Sequence, residues 1–206
     1  MGRFKVKKQS TVIDMTAMSD VTVLLLTFFM LTSTIVKPTP IKVNTPGSVS
    51  EIKIPETNIL TILVEPTGKI FMSMDKKGDM MATLDMMSEK YGVKFNAKEA
   101  NTFGLLTVFG VPVSQLKSVL AMDKDMQDEY LKSKQNKGIP CPNDSATSSE
   151  FKDWVQCAGE VNPDMSIAIK ADATTPYAVI KNVMNSLRDI NKNRYNLITS
   201  LKGEEE

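Results

Sequence analysis

The sequence predicts an α+β protein: a single N-terminal transmembrane helix followed by a small domain of mixed β-sheet, with helices on one face and a helical insertion. Three observations predict it. Residues 15–36 form an apolar run broken by one charge, Asp20. Two β-rich runs, 58–64 and 69–74, flank a turn containing Pro66 and Gly68. Residues 165–199 read as strand, helix, strand. The expected boundaries are 1–11 for an N-terminal segment, 12–36 for the membrane helix, 37–57 for a linker and 58–202 for the domain, with the insertion at 75–147.

A run of about 20 apolar residues is long enough to cross a bilayer as a helix. Arg3, Lys5, Lys7 and Lys8 precede it, whereas Lys37 and Lys42 follow more sparsely. The positive-inside rule then puts the N-terminus in the cytoplasm and the domain outside, in the periplasm if the cell is Gram-negative. A cleaved signal peptide is the rival reading. The length of the run, its internal charge and the lack of a small-x-small cleavage site speak against it. Lys37-Pro38-Thr39-Pro40 follows at once, and proline cannot continue a helix, so the helix should stop near Val36.

Asp20 is the anomaly in this run. A carboxylate at the centre of a membrane helix costs about 2.5–3.5 kcal/mol on insertion scales, and such residues mark functional sites, often proton relays. Stepping by sevens from Asp20 brings Thr27 and Thr34 to the same face, and Thr16 lies one turn earlier. The rest of the cylinder is apolar, with Val21, Leu24, Leu25, Phe28, Phe29 and Leu31. Threonine hydroxyls can bond back to a carbonyl one turn earlier and carry no further meaning. A carboxylate has no such refuge and must face protein or water. The stripe therefore implies partner helices, from a second copy of the chain or from another membrane protein.

Composition excludes several function classes. A formal net charge of +1 over 206 residues gives no basic footprint for nucleic acid. There is no histidine, which removes Ser–His and Cys–His nucleophile pairs and the commonest metal ligand. No Gly-rich phosphate loop is present. Nothing supports an enzyme, and no cofactor or metal is implied. About 150 residues remain outside the membrane segment and its flanks, enough for one domain with its own core.

Taken in order, residues 41–44 and 51–54 are short extended segments. Residues 58–64 and 69–74 form a hairpin around Glu65-Pro66-Thr67-Gly68. In the insertion, residues 79–91 place Met80, Leu84, Met87 and Tyr91 on one helix face. Asn96 and Glu99 form a capping box, and residues 114–131 read as one further helix. The insertion is either a lid on the core or a docking surface. The methionines at 72, 74, 80, 81, 86 and 87 pose a parallel choice between core filling and adaptable binding, with copper ligation by thioethers a weaker alternative. Phe151, Trp154, Val155 and Ala158 sit at helical spacing after Ser148 and Ser149. Met165, Ile167 and Ile169 alternate with Ser166, Ala168 and Lys170 as a half-buried strand. Thr175 is the expected N-cap and Pro176 the first residue of a helix carrying Ile180, Val183, Met184 and Leu187. A strand at 195–199 completes a βαβ unit. Cys141 and Cys157 lie on the outer side, where an oxidising compartment favours a disulfide. Closing a loop of about 15 residues would add about 3 kcal/mol in the chain-entropy model.

The segment Asp14-Met-Thr16-Ala17-Met-Ser-Asp20-Val21, its leucines and Phe29-Met30 resemble the ExbD/TolR family. Ala17 stands where that family usually has proline. Ile167-Ala-Ile-Lys-Ala-Asp172, Thr175-Pro-Tyr177, Val179-Ile-Lys-Asn-Val-Met184 and Asn196-Leu-Ile-Thr199 extend the resemblance, which covers residues 10–75 and 148–201. It implies an inner-membrane protein working with an ExbB-like multi-pass partner, whose pentameric ring holds two copies of the ExbD-type helix. It further implies Asp20 as proton carrier, Thr16 lining the same site, and motion passed to a TonB-like protein that serves outer-membrane transport. The membrane motif is shared by ExbD-like, TolR-like and gliding-type motors, so it leaves those roles open. A tethered interaction module on a passive anchor is the contrasting alternative. The implied partners are thus the ExbB-like protein, a second copy of the chain, the TonB-like protein and membrane lipid, with no nucleic acid.

Overall fold

The computed structural model describes residues 15–33, 40–41, 43–48, 57–141 and 149–201. The chain divides into two compact units, Met1–Lys37 and Pro38–Glu206. The first contains helix α1, Met15–Thr32, whose mean hydropathy of 1.6 follows from its run of leucine, phenylalanine and methionine. Every residue of α1 is solvent-exposed in the isolated chain. A helix so apolar has to bury that surface in lipid or against other helices.

The second unit is built on a four-stranded mixed sheet, in the order β3-β2-β4-β5. Strands β2 (Ile59–Val64) and β3 (Ile70–Met74) form the expected antiparallel hairpin. Gly68 takes φ +83° in its turn, a conformation that L side chains rarely adopt. β4 (Ser166–Ala171) pairs in parallel with β2 on one side and with β5 (Tyr195–Leu197) on the other. Helix α7 (Tyr177–Asp189) connects β4 to β5 and completes the βαβ unit. It starts one residue later than expected. Pro176 is the N-cap, while Thr175 Oγ1 donates to the Val64 carbonyl at 3.5 Å.

Helices α2 (Lys77–Tyr91), α6 (Glu150–Val161) and α7 cover one face of the sheet. Helix α2 ends at Gly92, φ +67°, whose N–H returns to the Ser88 carbonyl. Ser149 caps α6 by accepting the Lys152 N–H. Trp154 is fully buried at the centre, stacked on Phe103 at 5.9 Å and tilted against Phe109 at 4.9 Å. Phe103 ends α3 (Ala97–Phe103), which opens with the expected capping box, Glu99 accepting the Asn96 N–H at 2.7 Å. The insertion is therefore part of the core. Met72, Met74, Met80 and Met87 are buried in it, so these methionines fill space.

Two features of the insertion differ from the sequence reading. The single helix expected over 114–131 is two, α4 (Val113–Leu120) and α5 (Lys124–Lys132). The chain breaks at 121–123, and Tyr130 Oη returns to within 3.0 Å of Gln115 Oε1. One straight helix would hold those residues about 22 Å apart. The insertion also serves both faces of the sheet. Val119 and Leu131 join Leu63, Phe71, Val108 and Val111 in a second cluster away from the main core. Phe109 bridges Met72 through backbone bonds of 2.7 and 2.8 Å, and Ile139 N donates to Ile70 O at 2.9 Å. These contacts cover the free edge of β3, which would otherwise offer unpaired groups to another strand.

Part of the expected linker is built into the domain. Ile41 and Val43 are buried in the second cluster. Beyond them, β1 (Gly47–Ser48) pairs in parallel with β6 (Ser200–Leu201). The extended segment expected at 51–54 lies outside the described residues.

Candidate functional site

The candidate site is built on α1. Asp20 is its sole ionisable side chain, and it sits in the second turn. At 100° per residue, Thr16 and Thr27 fall within about 40° of Asp20 on the helix surface. Thr34 lies outside the described residues. Hydroxyls along the helix return to its own carbonyls. Ser19 donates to Met15 O at 2.8 Å, Thr22 to Ser19 O at 2.8 Å, Thr27 to Leu24 O at 2.9 Å and Thr32 to Phe28 O at 2.9 Å. This is the ordinary back-bonding of hydroxyls in apolar helices. It uses the hydrogen of each group and leaves lone pairs outward, so the Thr27 face offers acceptors to water or to a protonated carboxyl. Phe28 and Phe29 meet edge to face at 5.8 Å.

Among the described residues, no cluster of three or more His, Cys, Asp or Glu side chains could hold a metal ion. The arrangement offers one carboxyl group on an otherwise uncharged membrane helix. Chemically, that group can take up and release a proton, and it needs partner surface to do so inside a bilayer.

The family model for the biopolymer transport protein ExbD/TolR matches residues 6–202. The chain belongs to the ExbD/TolR family. No curated protein and no solved structure matches the chain. Members of the ExbD/TolR family are membrane-anchored, transport-associated energising subunits rather than enzymes, and they typically work with ExbB- or TolQ-like partners. One N-terminal apolar helix fits that anchorage.

The expected Cys141–Cys157 disulfide is not formed; both are free thiols. They serve different surroundings. Cys141 Sγ lies 3.4 Å from Ser186 Oγ of α7. Cys157 is buried on α6, where it lines a groove with Met86, Glu89 and Lys90 of α2. Burial pushes both thiols up from their ordinary value. Beside this groove Asp153 accepts Lys90 Nζ and Tyr91 Oη, each at 2.6 Å, tying α2 to α6.

Sequence reasoning names Asp172 only within the resemblance and misses its structural role. Asp172, 8% exposed, follows directly after β4. Its Oδ1 accepts the Thr174 N–H and hydroxyl at 3.0 and 2.7 Å, and its Oδ2 accepts the Asn44 N–H at 2.9 Å. The Thr174 backbone N–H, then its hydroxyl and the Asn44 N–H, hold this carboxyl below the usual range. Asp followed two residues later by Thr is the signal of a local side-chain turn. The partner in the linker could not be read that way.

Proposed function

We propose that this ExbD/TolR chain is the proton-handling subunit of an inner-membrane motor of the ExbB–ExbD kind, which energises TonB-dependent outer-membrane transport. Asp20 is the proton carrier in this reading. The observation that carries it is Asp20 as the lone ionisable group of α1. A carboxylate kept there at an insertion cost is difficult to explain as a passive anchor. Each elementary charge crossing the full membrane gains about 2.3 kcal/mol per 100 mV, the energy such a motor draws on. Thr16, Thr27 and Thr34 would line the same face of the partner's ring. The lysine-rich N-terminus would lie in the cytoplasm and the C-terminal domain in the periplasm. A second copy of the chain and a TonB-like protein complete the assembly.

The experiment is to purify the chain with its multi-pass partner, reconstitute the complex in vesicles and measure proton flux and energised uptake. Asp20→Asn keeps the size of the side chain and cannot carry a proton. Loss of both readouts with normal assembly is expected, and normal flux with Asp20→Asn would overturn the reading. Normal function after replacing α1 by a generic apolar helix would favour the passive anchor. Requirement for a TonB-like protein separates the uptake role from TolR-like and gliding-type roles.

A further inference from the structure

The chain is fixed to the domain well before it reaches β2. Ile41 and Val43 share a buried cluster with Leu63 of β2 and Phe71 of β3. Asn44 exchanges two hydrogen bonds with the β4–α7 turn. Its N–H donates to Asp172 Oδ2 at 2.9 Å, and its carbonyl accepts the Ala173 N–H at 2.9 Å. Gly47 and Ser48 then pair with Ser200 and Leu201. By chain order alone, a pull arriving from the N-terminal side meets this strap, residues 41 and 43–48, before it meets β2.

The Asn44 bond is surplus to the turn in which Asp172 sits. Oδ1 alone closes that turn, accepting both the N–H and the hydroxyl of Thr174. Oδ2 reaches instead to a residue 128 positions away. A hydrogen bond to a carboxylate is roughly twice as strong as a neutral one. Asp172 is buried, so water competes little for it. Its own backbone continues the sheet, the N–H donating to Val64 O at 3.1 Å. The strand before it, β4, is an inner strand, paired with β2 on one side and β5 on the other. Load arriving at Asn44 therefore passes into the middle of the four-stranded sheet. The β1–β6 pair offers no equivalent route, because it forms a separate two-stranded sheet.

We propose that Asp172 is the positioning residue that couples the membrane helix to the domain. Through Asn44 it passes movement of the chain that follows α1 into strands β4 and β2. The inference rests on the motor reading above, but not on which side chain carries the proton.

Asp172→Asn isolates the bond. The amide oxygen serves Thr174, and the amide nitrogen then meets the Asn44 N–H, donor against donor. Losing a hydrogen bond to a charged group should lower the docked population of the strap about tenfold. Hydrogen exchange on the full chain with its multi-pass partner should therefore speed by that factor between residues 43 and 48. Amides of β2 and β4 should keep their native rates, which separates release of the strap from unfolding. In vesicles, proton flux through the complex should stay at the native level. In cells, the energised output, meaning the process that loss of the chain abolishes, should fall several-fold. Rescue tests the route. Asn44→Cys with Ala173→Cys, added to Asp172→Asn, places two thiols at exposed positions whose backbones share a hydrogen bond, within reach of a disulfide. Oxidation should restore the output, and reductant should remove it again. Normal output in Asp172→Asn overturns the proposal, as does unchanged exchange at 43–48. So does loss of flux together with output, which would assign Asp172 to assembly, and so does output that stays low once the strap is cross-linked. Failure of the proton-carrier reading shows instead as normal flux in Asp20→Asn and leaves these outcomes unchanged, so the two failures are distinguishable.

Discussion

The carboxylate of Asp172 accepts the backbone N–H of Asn44 at 2.9 Å, joining residues 128 positions apart. The Ala173 N–H donates back to Asn44 O at 2.9 Å. The segment that follows the membrane helix is thereby stitched to the β4–α7 turn, and Ile41 and Val43 are pressed into an apolar cluster beside it.

That relationship sets a pH dependence. The Asp172 carboxyl is held below its usual value of 3.8, so its charged form is favoured by the fold. A lowered folded value gives stability that is present above the unfolded value and is lost as pH falls through the folded one. Thermal melts from pH 7 to pH 2.5 should show Asp172→Ala below the native protein at neutral pH. The gap should narrow below about pH 3.8. A gap that stays constant with pH would show that the carboxylate charge plays no part.

Ile41 gives a second prediction. It is 4% exposed although it lies outside the expected domain boundary at 58. Ile41→Ala should cost about 2 kcal/mol, at the low end for a buried isoleucine because the site is peripheral. Denaturant titration in mild detergent measures it. An unchanged midpoint would return this segment to the status of a free linker.

Gly110 allows no side chain. A Cβ there would lie 2.1 Å from Phe71 Cδ1, and Phe71 is fully buried. Gly110→Ala should destabilise by about 3 kcal/mol, the upper range for overpacking. Adding Phe71→Leu should restore part of that loss, since the smaller side chain vacates the clash. A double-mutant cycle in urea isolates the coupling.

The thiols predict their own chemistry. Both are free, and burial raises both above the ordinary thiol value. A thiol-specific reagent at pH 8 should label two groups after denaturation. In the native protein, partly exposed Cys141 should react before buried Cys157. Intact mass with and without reductant should be the same, and a shift of about 2 Da would reinstate the disulfide.

Tyr91 adds an alkaline limb. Burial, then its hydrogen bond to Asp153, raises its phenol well above the ordinary tyrosine value of 10.0. A raised folded value gives stability that is full below the unfolded value and declines as pH rises past it. Ultraviolet titration should show one tyrosine ionising later than the others, and Asp153→Asn should bring it closer to them.

The hairpin, α6 and the βαβ unit were legible because each is written in local periods: alternation at Met165, Ile167 and Ile169, and helical spacing at Phe151, Trp154 and Ala158. The capping box at Asn96 and Glu99 needs only three residues of separation. The 114–131 segment was misread because Leu116, Leu120 and Leu131 keep a helical rhythm across a break. They face two different clusters, and periodicity cannot say which cluster a residue joins. The candidate site divides the same way. Asp20, Thr16 and Thr27 stand on one helix, so their shared face needs only the helical period. Asp172 was visible as a residue but not as the partner of Asn44.

The sequence by itself determined the apolar helix, its single carboxyl group and the membership of the family, because hydropathy and motif spacing act along the chain. The tertiary structure alone decided that the insertion enters the core through Phe103 and Phe109, and that residues 41–44 dock on Asp172. It also decided that Cys141 and Cys157 turn to different neighbours. Those outcomes depend on which distant side chains can share one close-packed volume and satisfy one another's hydrogen bonds, and no local pattern encodes that pairing.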